Sequence, residues 1–321
     1  MTRICKLYNK IRHIGIIGTW KVILNKFQQY YSKNIISVLN KNHFLFEMGG
    51  YWNSYKRLER RYKNKILKME THTGSGKSSN IIWWCWLQGE DNCPKLQKRC
   101  LQSVRATYKN REIKIISNKN LYDYIELPDF IKDKYNSGYI SHTHFSDLIR
   151  LQLLIKYGGT WIDSSTYCTG YDETLFDKTL FVFKNINYIW YANKKYCYGE
   201  VPLLADNWFI TSEINNPILI SVRDLLFDYW KHHKYLTDYF IFHFFFSMVV
   251  KYKYTTLFEN IPTISHLLPH MLQSVCYSEI DEREYQNIIR QSTVHKLTNK
   301  VNLNELAQDC LYMKIINGNI K

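Results

Sequence analysis

The stretch FSDLIRLQLLIKYGGTWIDSS, residues 145–165, constrains the fold more than any other part of this chain. Leu148, Leu151, Leu154 and Ile155 recur at helical spacing and form one apolar stripe. Asp147 and Arg150 stand three residues apart, so they share the opposing face of that helix. Ser141 or Thr143 is the expected N-cap, and Gly158-Gly159 stops the helix after Tyr157. The chain then turns into a short apolar strand, Thr160-Trp161-Ile162, and Asp163 follows at once, with Ser165 two residues on.

The same alternation holds on either side. Residues 81–87 and 112–116 read as buried strands and 95–107 as a helix, with short helical stretches at 121–126 and 129–135. Residues 160–162 give the third strand and 180–183 the fourth, while 217–230, 238–251 and 302–311 read as helices. Strand–helix–strand order implies an α/β fold: an open, largely parallel sheet with helices on its faces. In such a sheet ligands bind beyond the carboxyl ends of the strands, which is where Asp163 sits. A carboxylate there can hold a divalent cation that bridges a diphosphate. Asp147 can accept hydrogen bonds from hydroxyls, and Arg150 can bind a phosphate or a sugar hydroxyl. The spacing equally fits a surface Asp147–Arg150 ion pair and an Asp163 that caps a turn.

Charge is unevenly placed. Residues 1–70 carry 15 Lys/Arg against Glu47, Glu59 and Glu70, a net of +12 out of the chain's +15. We therefore expect a basic helical arm over 1–70, a Gly/Ser-rich linker over 71–80 (THTGSGKSSN) and one near-neutral domain over 81–321. Such an arm suits an anionic partner, or serves as a solvated face. Residues 4–31 mix Trp20 and several isoleucines with lysines, which suits a membrane surface, although Gly15 and Gly18 weaken a continuous helix. No apolar run approaches the roughly 18 residues a spanning helix needs. A signal peptide is not evident and no CxxC pair occurs among the eight cysteines, so reduced thiols and a cytoplasmic setting are the expectation.

Several tempting motifs carry less. GSGKSS at 74–79 lacks the leading glycine of a P-loop, since Thr71 stands there, and a strand follows it instead of preceding it. His142 and His144 would be spread apart by a helix start. His232-His233 reads as solvated, and His243 as either a core or an active-site histidine. Cys168 has no evident histidine partner.

Residues 145–165 resemble the S-D-x-x-R-x-x-x-L-x-x-x-G-G-x-Y/W-x-D-x-D signature of retaining glycosyltransferases with a DXD motif. That group includes the yeast initiating mannosyltransferases and the sugar-transferring domains of clostridial toxins. The match to the bacterial capsular polysaccharide synthesis protein family is closer. It takes in Ile82-Trp83-Trp84-Cys85-Trp86-Leu87-Gln88-Gly89, then Pro94, Cys100 and Ser103, then the central block, and downstream Asn207-Trp208-Phe209-Ile210, Tyr229-Trp230 and 238–243. The likeness covers roughly residues 80–250.

That resemblance implies a nucleotide-diphospho-sugar transferase with a GT-A-type, Rossmann-like open sheet, helical additions and the basic arm. It implies that Asp163 is the first Asp of the DXD, with Mn2+ or Mg2+ held by Asp163 and Ser165. Ser165 replaces the second Asp, which weakens that cation site. Asp147 and Arg150 would bind donor sugar and phosphate, flanked by Gly158 and Gly159. Trp86 would stack on the nucleobase, and Asn207 and Trp208 would lie on a loop that closes over the diphosphate. The donor would be a nucleotide sugar, with uridine diphosphate the commonest base. The acceptor would be a hydroxyl of a surface glycan or lipid-linked glycan at the anionic inner face of the membrane. No nucleic acid is expected. Nucleic-acid binding through the arm, or a degenerate non-catalytic scaffold, are the alternatives.

Overall fold

The computed structural model describes residues 43–176, 179–185, 202–298 and 300–320, together with Thr19, Trp20, Ile23, Leu24 and Phe27. Most of the expected amphipathic stretch at 4–31 lies outside the described residues.

Helix α1 (His43–Lys68) leads to strand β1 (Ile81–Cys85), helix α2 (Lys95–Thr107) and strand β2 (Glu112–Ile116). Short helices α3 (Leu121–Tyr124) and α4 (Asp129–Asn136) precede the long α5 (His142–Tyr157), then β3 (Gly159–Ile162) and β4 (Thr166–Cys168). β5 (Leu180–Lys184) and β6 (Ala205–Ser212) follow, then α6 (Pro217–His232), α7 (Ile241–Lys253), α8 (Thr255–Glu259), α9 (Leu267–Val275) and α10 (Glu282–Gln291). β7 (Val294–Lys296) and α11 (Leu311–Asn317) close the described order.

The main sheet runs β2-β1-β3-β6-β5. β1 pairs parallel with β2 and β3, whereas β6 is antiparallel to both β3 and β5. Only β6 therefore reverses direction among the described strands of this sheet, and the expected open, largely parallel α/β sheet is what the chain forms. β2 lies on one side of β1 and β3 on the other, so the topology switches direction between β1 and β3. A crevice outside their carboxyl ends is the place such a sheet offers to a ligand.

Both sheet faces are covered, and the strands alternate accordingly. Trp83, Trp161, Val182 and Ile210 point into the larger core with α1, α5, α6 and α7. Ile82, Ile162, Phe181, Phe183 and Phe209 point the other way, against Val104 and Tyr108. A smaller core joins Leu96 and Cys100 to Tyr167, Leu272, Tyr285 and the α11 residues. β4 and β7 form a separate antiparallel pair over it.

The α5 start and stop follow the sequence closely. Ser141 caps the helix by accepting from the His144 N–H. Gly158 (φ 64°) and Gly159 (φ 87°) both adopt left-handed backbone, and a Cβ on Gly159 would fall 2.4 Å from the Ile81 carbonyl oxygen. Only glycine lets β3 approach β1 there.

Three expectations need correction. The arm does not extend to residue 70: Tyr55, Leu58, Tyr62 and Ile66 recur at helical spacing, and all four are buried in the main core against α7. The lysines and arginines of α1 lie exposed or half-exposed and hide that stripe in a composition count, whereas Glu59 is buried and accepts from Lys251 and Tyr252. The stretch 71–80 is no simple linker either: it wraps the buried Glu213, whose carboxylate accepts from the Gly76 N–H at 2.6 Å. Finally, 302–311 is not a helix. Asn302 caps a single turn at Leu303–Glu305, and α11 begins only at Leu311.

Candidate active site

Helix α5 and strands β3, β6 and β7 meet at the carboxyl end of β3. α5 supplies Asp147 and Arg150, the residue after β3 is Asp163, and β6 supplies Asn207. Asp147 and Arg150 are 6% and 3% exposed, so they are not a surface ion pair. Their contact is 3.4 Å from Nη2 to Oδ1, and the same Nη2 lies 3.3 Å from Asp163 Oδ1. One guanidinium thus bridges two carboxylates. Its other N–H groups donate to the Ser146 carbonyl, the Ser146 hydroxyl and the Asn207 carbonyl. The plane lies over the Trp161 ring at 4.9 Å. Arg150 is consumed inside the protein, so it positions the carboxylates and has little left to offer a phosphate.

Asp147 also accepts from the Asn207 side-chain amide at 2.9 Å. Burial still raises its pKa above the ordinary carboxylate range, with Arg150 pulling the other way. Asp163 behaves oppositely. Burial pushes its pKa up, but Lys296 and Arg150 together with hydrogen bonds outweigh that and leave it below the usual range. Those hydrogen bonds come from Trp161 Nε1 to Oδ1 at 2.8 Å and from Lys296 Nζ to Oδ2 at 2.7 Å. The Asp163 side chain is 24% exposed, so solvent reaches it beyond the carboxyl end of β3.

Lys296 reaches the site from the end of β7. Its ammonium donates to Asp163 and, at 2.9 Å, to the Ser165 hydroxyl. The Leu297 N–H donates to the Ser165 carbonyl at 2.9 Å, which fixes β7 against this turn. Asp163 and Ser165 are thus a poor donor set for a divalent cation. They offer one carboxylate and one hydroxyl, and an ammonium already sits between them. Hard cations take several oxygen ligands, and no group of three or more His, Cys, Asp or Glu among the described residues is placed to hold a metal.

A family model described as capsular polysaccharide synthesis protein matches residues 24–315. The chain belongs to that family. The match begins before α1, in keeping with the burial of α1 in the main core. No curated protein matches the chain by sequence. The solved structure of the PaToxG glycosyltransferase aligns with 75% of this chain and 93% of its own length, at 14% identity and a TM-score of 0.37.

Some of the sequence blocks that carry the resemblance lie beside this cluster. Cys85, the last residue of β1, is close enough to Arg150 and Asp163 to feel both charges. Trp86 follows it, half-buried against Trp84, Cys93 and Leu101. Its indole N–H has no partner among the described residues, so the ring edge is unsatisfied at the carboxyl end of β1. Asn207 and Trp208 are not on a loop: they lie within β6, an inner strand that pairs with β3 on one side and β5 on the other. The Trp208 carbonyl accepts from the Asp163 N–H at 2.8 Å, which ties β6 to the turn after β3. The Trp208 indole donates to Asp206 at 2.8 Å, and His270 lies 3.7 Å from the same oxygen. His243 has a pKa lowered to about 4 by burial, and its Nδ1 has no partner among the described residues. Gly158 and Gly159 act through backbone geometry at the α5–β3 junction. His144 is engaged with Ser141 and the Tyr239 carbonyl, so it is occupied structurally.

Sequence reasoning missed Lys296 and Asp206. Asp206 adjoins the family block and was within reach of the motif. Lys296 stands 131 positions from Ser165 on a three-residue strand, with no local pattern to mark it.

Proposed function

We propose that this chain is a GT-A-type glycosyltransferase that moves a sugar from a nucleotide diphosphate-sugar to a hydroxyl of a growing surface glycan, with retention of anomeric configuration. The observation that carries the reading is the buried Asp147–Arg150–Asp163 cluster at the carboxyl end of β3. Arg150 contacts both carboxylates and so holds them in place, as a site that orients sugar hydroxyls requires. Family membership supports a place in polysaccharide synthesis.

In this reading Asp163, at the crevice wall, receives the donor sugar or ribose hydroxyls. Asp147 and Asn207 hold Arg150 and the β6 backbone in register and close the inner wall. Trp86 offers an aromatic face to the nucleobase. Negative charge grows on the departing diphosphate, so transfer needs a preorganised cation facing the crevice.

The basic segment before α1 would bring the enzyme to an anionic membrane that carries a lipid-linked acceptor. Trp20, Ile23, Leu24 and Phe27 support this: they recur at helical spacing and are exposed. None of the described helices is long and apolar enough to cross a membrane.

The deciding experiment incubates the protein with UDP-, GDP- and CDP-sugars and a lipid-linked acceptor, and follows transfer by mass spectrometry. Transfer from one donor, with the product anomer assigned by NMR, confirms the reading. An inverted product refutes retention. Absence of both transfer and donor hydrolysis across the set refutes the enzyme.

A further inference from the structure

The place between Asp163 and Ser165, where the DXD resemblance puts a divalent cation, is filled by a cation of the chain's own. We infer that the Lys296 ammonium takes the role of that metal, so that the site binds the donor's diphosphate without one; the inference rests on the transferase reading above.

Four observations converge. The ammonium bonds both DXD positions at once, at 2.7 Å to Asp163 Oδ2 and 2.9 Å to Ser165 Oγ. A metal held by the same two oxygens would have to displace it. The second position is a hydroxyl, which suits an ammonium donor and serves a hard cation poorly. Lys296 is held from two sides: β7 pairs with β4, with Lys296 opposite Thr166, and Leu297 is tied to the Ser165 carbonyl. Its placement is therefore part of the fold. Finally, its side chain is 20% exposed while that of Arg150 is 4%, so of these two cations Lys296 is the one a ligand can reach.

Lysine brings three rotatable N–H donors. Two are used by Asp163 and Ser165, and the third is available to a diphosphate oxygen. Asp163 keeps the ammonium oriented. Charge that grows on the leaving diphosphate then meets a fixed positive centre, with no change in the protein's own bonding. Serine at the second position and lysine at 296 are thus one arrangement: an aspartate there would bind the ammonium more tightly and neutralise it.

The test is calorimetric. UDP, GDP, CDP and ADP are titrated into the full-length protein in EDTA and in MnCl2. At least one should bind, with an affinity in EDTA within about threefold of that in manganese. Lys296→Gln should weaken that binding at least about tenfold, the scale of one charge-assisted hydrogen bond, whereas Lys296→Arg should keep most of it. Because Lys296→Gln could fail to fold, manganese EPR of the wild-type protein is run beside it. Bound Mn2+ should not be detected in the absence of nucleotide. Binding that requires manganese, a tight Mn2+ site in the free protein, or equal losses in the Gln and Arg variants would each overturn the lysine assignment and leave the transferase reading standing. If none of the diphosphates binds in either buffer, both readings fall.

Discussion

Arg150→Met isolates what the central guanidinium does. Methionine keeps much of the apolar stem while removing the charge and the guanidinium's stacking on Trp161. Asp147 would then be left 6% exposed with the Asn207 amide as its remaining side-chain donor at 2.9 Å. Removing one partner of a buried pair costs roughly 3–5 kcal/mol. The surviving Asn207 bond, and the Lys296 partner that Asp163 retains, place the expectation near the low end, about 3 kcal/mol. Unfolding entropy near 2.1 cal/mol/K per residue gives about 0.7 kcal/mol/K for a chain of this size, hence a Tm loss of about 4 °C at neutral pH. The pH dependence has a definite sign. The folded-state pKa of Asp147 is already raised by burial, so its contribution to stability is present below the unfolded value and is lost as pH rises through the folded one. Loss of Arg150 raises that pKa further. The gap between wild type and variant should therefore be widest near pH 7 and close as the pH falls toward about 4. Differential scanning calorimetry across that range reads both effects. A Tm change below about 1 °C at pH 7, or a gap that widens in acid, would refute the picture of Arg150 as the countercharge of a buried carboxylate.

Other perturbations separate chemistry from scaffold. Asp163→Asn should cut transfer by at least about a hundredfold, the scale of one preorganised electrostatic contact, while far-ultraviolet circular dichroism stays unchanged. Gly159→Ala places a Cβ 2.4 Å from the Ile81 carbonyl oxygen at a φ of 87°; soluble yield and Tm should both fall sharply, and a normal melting curve would show that β3 can shift. Deletion of residues 1–42, which spares α1, should abolish sedimentation with anionic liposomes and leave nucleotide binding intact. Retained sedimentation would assign the basic segment another task.

What the sequence disclosed follows from range. α5 and its ends were legible because a helix states its face, cap and stop within one stretch of chain: the leucine stripe, Ser141 and Gly158-Gly159. The parallel strands were legible because a strand buried on both faces reads as a short apolar run. β6 was harder. Its segment ADNWFITS opens with polar residues that bond to the site, Asn207 to Asp147 and Asp206 to Trp208, and these imitate a loop. α1 was misjudged for the opposite reason, since its lysines and arginines outnumber a stripe of four buried residues. The Asp147–Arg150 pairing was implied by spacing, but its burial was not, because burial depends on β6 bringing Asn207 against both residues. Lys296 belongs to a third kind. Its meaning arises only when β7 pairs with β4 and delivers the ammonium to a carboxylate and a hydroxyl far away in the chain. A serine at the second DXD position reads, in sequence, as a weakened metal site. Beside Lys296 it reads as the acceptor that holds a fixed charge in place, and the departure from the motif becomes the evidence for how the site supplies its cation.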